Sequence, residues 1–431
     1  MEYLPVIILI VSFLGLLLIG VPVAWSIAIS SLLTMMVSIP TIPALTTVSQ
    51  RIGTGLDSFA LLAIPFFVLS GQLMNKGGIA HRLIDFAKTL VGSLPGGLAL
   101  INVIAAMLMG AIAGSAMASA SAMGSILGPE MEKEGYSKEF GAAVNITSST
   151  TGLIIPPSNV LIVYSLASGG VSIAALFLAG YIPGIITGLL LMIVASFWAK
   201  KKGYKVGKRS TLKEVARTFV RAFPSLMLLV VVIGGIVAGI FTATEASAIA
   251  VLYTLLLGFY YKEIKTKDIP EILLESCGTT AIVMLLIGAS MSMSWVMSYE
   301  NIPQNISNLL LGVSDNPIII LLIINLILLF VGIFMDMTPA VLIFTPIFLP
   351  IITKLGMDPV QFGIMMVLNL CVGLCTPPVG SVLFVGVGVA GTTIEKVVKP
   401  LLPLFLAMIV SLLLVAYIPQ LSLWLPSLFG L

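Results

Sequence analysis

The sequence predicts an all-α polytopic membrane protein: an inverted-repeat scaffold with two re-entrant helical hairpins and two broken helices. Three observations lead there. Of 431 residues, 59% are hydrophobic and 9% charged, with mean hydropathy +1.17, whereas soluble proteins carry about 25% charged residues. The apolar sequence falls into runs near the ~20 residues that ~30 Å of hydrocarbon requires. Landmarks also recur at an offset of 221 positions. Pro156 and Pro157 map onto Pro377 and Pro378, Gly152 onto Gly373, Pro129 onto Pro350, Gly135 onto Gly356, and Ser115 onto Asp336.

Taken in order, residues 4–20 form the first span, Gly20-Val-Pro22 breaks it, and 23–39 returns. The stretch 41–57 reads as a polar connection, and 59–74 as the third span. Residues 79–90 read as a short amphipathic helix lying in the interface. Residues 98–128 enter the membrane as a re-entrant hairpin with its tip at Gly114 and Ser115, because 115–128 is too small and polar to face lipid. The acidic stretch 129–139 is aqueous. Residues 140–167 cross with a break from Gly152 to Pro157, and 171–198 cross again.

A basic linker, 200–221, separates this first repeat (1–199, with its scaffold in 1–97) from the second (222–431). There the spans are 222–240, 241–261 and 272–298, followed by an interfacial helix at 302–312. A second hairpin, 318–352, turns at Asp336. A broken helix, 360–389, is interrupted from Gly373 to Pro378, and 401–425 is the last span. Each half therefore has five crossings and one hairpin. Five is odd, so the two copies are inserted with opposite orientation, as in secondary transporters.

Basic residues set the orientation. With the linker in the cytoplasm, every Lys and Arg except Arg51 and Lys354 falls on the cytoplasmic side, as the positive-inside rule demands. Both termini are then outside. The N-terminus has no basic region before its apolar run, so the first helix is expected to be retained.

The chemistry concentrates at the interruptions. Backbone that leaves the helix within a bilayer must be buried in protein or line a cavity. Glu245 and Asp336 are the acids placed within the membrane, where a carboxylate costs about 2.5–3.5 kcal/mol. No Lys or Arg lies in a span, so a cation from solution is the natural counter-charge. Asp336, Thr338, Asn369, Gly373, Thr376 and Pro377 offer hard oxygen ligands suited to Na+. Ser115, Ser119, Asn145, Ser148, Thr151 and the carbonyls from Gly152 to Pro156 offer a second, neutral set. A small anionic substrate without a membrane arginine would rest on helix N-termini and hydroxyls beside the bound cations. Ser115, Ser149, Pro157, Ser158, Thr338 and Pro378 are the residues placed to do this.

Each feature also has a plainer reading. Asp336 is an N-cap candidate with Pro339 at the first helical position. The Ser and Thr residues allow close helix packing and bond back to their own turns. Glu245 with Thr242 reads as a capping box, which is favoured over an ion or proton role. Cys371 and Cys375 share one helix face with no metal-ligand spacing around them. Gly386–Gly391 spells GxGxxG without the βαβ context a dinucleotide site needs. His81, the single histidine, belongs to a surface helix. The basic cluster 200–209 suits topology and lipid headgroups rather than nucleic acid. An intramembrane protease would need paired carboxylates or a membrane histidine, and neither pattern is present.

Seven stretches, Ile64–Met74, Leu94–Ala99, Leu108–Ser115, Ile154–Ser158, Leu176–Gly180, Gly239–Ala246 and Gly373–Gly380, together and in order resemble the large membrane subunit of tripartite ATP-independent periplasmic (TRAP) transporters. The resemblance implies a bacterial inner-membrane permease that takes up organic acids, driven by Na+ as the coupling ion. It implies two partners, a small four-helix membrane subunit and a periplasmic solute-binding protein. Sialic acid is the substrate it favours, with C4-dicarboxylates next. The hairpins and broken helices would then form the moving core of an elevator. A stand-alone ion-coupled anion transporter is the alternative.

Overall fold

The computed structural model describes residues 4–204, 206–207, 209–314 and 316–431. All regular structure among them is helical. The first part contains α1 (Leu4–Leu18), α2 (Val23–Ser38), α3 (Thr41–Gly55), α4 (Ala63–Lys76), α5 (Ile79–Val91), α6 (Gly97–Ala113), α7 (Ala116–Lys133), α8 (Lys138–Thr151), α9 (Asn159–Ala167) and α10 (Ile173–Lys202). The second contains α11 (Leu212–Val237), α12 (Ala243–Tyr260), α13 (Ile269–Tyr299), α14 (Ile302–Val313), α15 (Pro317–Phe334), α16 (Met337–Lys354), α17 (Pro359–Leu374), α18 (Ser381–Ala390), α19 (Ile394–Tyr417) and α20 (Gln420–Leu428). Eight helical segments among the described residues are long and apolar enough to cross a membrane.

Helix boundaries recur at the offset seen in the landmarks. The second arms of the two hairpins, α7 and α16, begin and end 221 positions apart. Two groups of helices result. In one, α12 lies along α4, and α13 lies along α2, α3 and α4. In the other, the hairpin α6–α7 packs on α8 and the hairpin α15–α16 on α17. The hairpins also cross between halves, α7 onto α18 and α16 onto α9. The two broken helices meet at equivalent positions, where Cys371 Sγ donates to the Thr150 carbonyl at 3.3 Å. Cys375 Sγ faces the Ile146 carbonyl at 3.5 Å, so these thiols act as packing groups between the halves.

Helices α8 and α17 form the centre. Residues 142–151 and 361–374 are buried without exception. Helix α8 tolerates burial despite its hydroxyls because they donate to carbonyls one turn back, including Thr147 to Ala143 (2.9 Å) and Thr150 to Thr147 (2.9 Å).

Four expected boundaries are corrected. Residues 41–57 are not a connection but contain α3. Ala44 and Val48 are buried on one side, and this amphipathic stripe packs on α13. The hairpin expected at 98–128 extends to Lys133, with Pro129 inside α7, so part of the acidic stretch is helical. Most of the 200–221 linker is helical as well. α10 continues to Lys202, its terminal lysines complementing the helix dipole, and a Thr211–Glu214 capping box starts α11. The last span ends at Tyr417 rather than Leu425. Ile418 is extended before Pro419, as the residue preceding a proline prefers, and α20 folds back against α10.

Candidate functional site

The two hairpin tips face one cavity of about 410 Å³. At the first tip, Gly114 adopts φ +61° and ends α6. Ser115 then starts α7, its Oγ accepting from the Ala118 amide at 3.3 Å. A Cβ on Gly114 would lie 2.7 Å from Asn159 Nδ2, so the Asn159 amide packs directly on the turn. At the second tip, Asp336 occupies the N-cap position of α16 with no side-chain cap hydrogen bond.

At the third helical position the contrast has a covalent cause. An N-cap side chain bonds the second or third helical amide. The third residue of α7 is Ala118, which donates. The third residue of α16 is Pro339, which has no N–H to give. The expectation that Pro339 sits at the first helical position is therefore corrected: α16 begins at Met337. Asp336 is exposed toward the cavity, and no Lys or Arg pairs with it among the described residues.

The cavity is also lined by Leu153 at the first break, Leu374 at the second, and polar side chains from α4 and α13. Among the described residues no basic side chain lines it. Residues from the first turns of α7, α9 and α16 do. Three helix N-termini, each carrying partial positive charge, thus converge on the space between the tips.

Of the residues expected at the site, Ser115, Asp336 and Thr338 share this cavity. The others do not line it. Ser148 donates to Asn102 Oδ1 and the Asn145 carbonyl (both 3.3 Å), Ser149 to the Asn145 carbonyl (2.6 Å), and Thr151 to the Ser148 carbonyl (2.6 Å). Gly152 presses against Gly110 of α6, where a Cβ would stand 2.3 Å from the Gly152 Cα. Gly373 meets Gly332 of α15 in the same way, at 2.6 Å. Pro156 is buried and Pro157 half-buried, and Ser158 closes the turn by donating to the Leu153 carbonyl (2.6 Å). In the second break, Thr376 donates to Val372 (2.8 Å), and Pro377 is half-buried and Pro378 exposed. Both Pro–Pro bonds are cis.

Among the described residues ten buried side-chain oxygens have no partner, and three of them belong to residues expected at the site: Ser119 Oγ, Asn145 Oδ1 and Asn369 Oδ1. Asn145 spends its amide on the Ala120 carbonyl (2.7 Å), and Asn369 spends its own on the Asn325 carbonyl (2.9 Å) and Oδ1 (2.8 Å). An acceptor left unpaired in the interior costs about 1–3 kcal/mol. A water or a hard cation would satisfy these acceptors, since oxygen donors suit hard cations.

Glu245 is settled by its hydrogen bonds. Its Oε2 accepts from the Thr242 amide at 2.8 Å, and its own amide donates to Thr242 Oγ1 at 3.3 Å, the reciprocal capping box. Gly386–Gly391 belongs to α18 and its C-cap. His81 is exposed on α5. Sequence reasoning missed Gln72, Asn75, Asn159 and Thr279, all on the cavity wall. Gln72 and Asn75, three residues apart in the mostly apolar α4, carried a signal. Asn159 and Thr279 stand out only once the helices are assembled.

Residues 10–421 match the family described as tripartite ATP-independent periplasmic transporter, DctM component. The chain is 56% identical to an uncharacterized protein, YgiK, of Salmonella typhimurium, over 100% of this chain and 99% of the relative. It is 38% identical to the sialic acid TRAP transporter large permease protein SiaM of Vibrio cholerae, over 97% of each. Its fold is similar to the Alcanivorax borkumensis YdaH transporter at TM-score 0.65 and 12% identity, covering 88% of this chain and 89% of that one. The family is one of transporters rather than enzymes, so the protease reading falls. The chain is a multi-pass membrane protein that belongs to the large-permease family of TRAP transporters.

Proposed function

We propose that this permease carries an organic acid through the cavity between the hairpin tips, coupled to Na+. The uncapped carboxylate of Asp336, facing a cavity that no basic side chain lines among the described residues, carries this reading. Na+ held by Asp336 and by neighbouring oxygens, including those of Asn369, Thr338 and the second break, neutralises the acid. Ser119, Asn145 and the carbonyls of the first break form the second cation set. With both sites filled, the helix N-termini of α7, α9 and α16 and the bound cations make a positive pocket for a carboxylate. Anion binding then requires Na+. If more Na+ than substrate charge crosses, each net charge gains about 2.3 kcal/mol per 100 mV.

In this reading the second half is inserted oppositely to the first. The hairpins and broken helices move as the elevator core past a scaffold that includes α4 and α13. The membrane is the bacterial inner membrane, with both termini periplasmic. A small four-helix subunit and a periplasmic binding protein complete the system. Sialic acid is the favoured substrate, in keeping with what its relative SiaM is named for, and a C4-dicarboxylate is the next choice.

Uptake by liposomes holding this chain with both partners tests the reading. Accumulation is expected under an inward Na+ gradient and not when choline replaces Na+. Uptake that persists without Na+ contradicts it. Accumulation by liposomes holding this chain alone would favour the stand-alone alternative. Competition between unlabelled sialate and succinate identifies the substrate class.

A further inference from the structure

A second cavity, of about 610 Å³, lies outside the proposed transport route, where one end of α5 meets α11 and the end of α12. Its volume falls within the roughly 300–1,000 Å³ typical of small-molecule sites. Gly78, His81, Arg82 and Asp85 line it from α5 and its N-cap, at the spacing of one helix face. Thr218 and Arg221 come from α11, and Tyr260, Tyr261 and Glu263 from the end of α12. Lys262 takes φ +58°, a conformation uncommon outside glycine. This sharp exit from α12 precedes Glu263 in the cavity wall.

The charges are balanced. Arg82 and Arg221 face the cavity with Asp85 and Glu263, and none of the four forms an ion pair among the described residues. Arg82 is fixed otherwise: its guanidinium lies 3.6 Å from the Tyr261 ring centroid, and Nη1 donates to the Gly78 carbonyl at 2.7 Å. The Tyr261 hydroxyl is buried and has no partner. Two guanidinium groups and two carboxylates lining one space suit a group that carries both signs.

The cavity also sits at the depth of a headgroup. α11 is charged at Lys213, Glu214, Arg217 and Arg221 and apolar from Ala222 except for Pro224 and Ser225 as far as Gly234. α12 ends at Tyr260 with Tyr261 as its C-cap, the aromatic signature of a membrane boundary. Val220 and Phe223 are exposed beside the cavity, apolar surface on which an acyl chain would lie. Basic pockets between membrane helices bind phospholipid headgroups. Here the added carboxylates select for a cationic end as well.

We propose that this cavity binds the zwitterionic headgroup of an aminophospholipid of the bilayer. Arg82 and Arg221 take the phosphate, and Asp85 and Glu263 take the ammonium. The lipid joins α5 to α11 and α12. Charge-assisted hydrogen bonds of this kind are the strong ones, so removing one side of the headgroup's partners should weaken retention roughly tenfold, an energy of about 1.4 kcal/mol.

Native mass spectrometry and thermal unfolding of the full chain in detergent test this, with phosphatidylethanolamine, phosphatidylglycerol and phosphatidylcholine added separately. The wild-type chain should retain phosphatidylethanolamine best and be stabilised by it most. Arg82→Ala and Arg221→Ala should each weaken that retention. The pair Asp85→Asn and Glu263→Gln, both at exposed positions, should erase the preference for phosphatidylethanolamine while leaving phospholipid bound. Should an arginine variant fail to fold, Arg82→Lys and the carboxylate pair still decide. Equal retention of the three lipids by the wild type overturns the proposal, as does an unchanged preference in the carboxylate pair. Stabilisation by soluble glycerophosphoethanolamine equal to that by the lipid would assign the cavity to a free ligand and overturn the lipid assignment.

Discussion

Asp336 and Ser115 occupy equivalent turns, yet they face different demands. Ser115 caps α7 through the Ala118 amide, whereas Pro339 denies Asp336 the matching bond and leaves its carboxylate open to the cavity. Asp336→Asn keeps the shape and removes the charge, and it is expected to abolish Na+-dependent uptake while the protein still folds. Pro339→Ala is the sharper variant. It restores an amide at the third helical position, so the carboxylate gains an intramolecular donor. Thermal stability should hold or rise, by up to the ~1 kcal/mol of an N-cap, while apparent Na+ affinity falls, roughly tenfold. Glu245→Ala should do the reverse, costing about 1 kcal/mol of stability through loss of the capping box and leaving the Na+ dependence of uptake unchanged. Unfolding midpoints and Na+ titrations of uptake separate the three.

Elements were legible where composition changes abruptly. The tips at Gly114–Ser115 and Asp336 and the breaks expected from Gly152 and Gly373 carry glycine, proline and hydroxyls inside apolar sequence; the structure has non-helical backbone at both tips and at Gly152, while Gly373 is still helical and the second break opens at Cys375. α3 was missed because its threonines and Arg51 read as a connection, while its buried stripe rests on few residues, Ala44 and Val48 among them. The continuations of α10 and α11 into the linker were missed because lysines look aqueous, although a helix end accommodates them well. The close passages of Gly110 on Gly152 and of Gly332 on Gly373 depend on tertiary packing, which spacing alone does not reveal. They make a prediction at this scale. Gly110→Ala and Gly373→Ala place a Cβ 2.3 and 2.6 Å from facing backbone, so each should destabilise by about 1–3 kcal/mol and impair transport. Gly128→Ala, with nothing within 4 Å of its Cβ, should be close to neutral in the same unfolding assay.

For the whole molecule, the proposed cavity lies between the hairpin core on one side and α4 and α13 on the other. Half of this site was readable beforehand. The tip residues Ser115, Asp336 and Thr338 stood out by residue type, but the opposing wall of Gln72, Asn75 and Thr279 comes from helices whose approach no local pattern specifies. The deeper residues Asn145 and Asn369 were singled out as polar. Their unpartnered oxygens, which give them a use, appear only with the hydrogen bonds assigned. If the core moves past the scaffold, joining the two walls must stop the cycle. Cysteines replacing Gln72 on α4 and Met117 at the first tip, which line the same cavity, are expected to block uptake when bridged and to restore it on reduction.

The most direct test is equilibrium binding of the transported carboxylate to the purified permease as Na+ is titrated. Coupling between two ligands is reciprocal. Substrate affinity should therefore rise with Na+, Na+ affinity should rise with substrate, and Asp336→Asn should flatten both curves. Substrate affinity that is the same with and without Na+ in the wild-type protein would contradict the account.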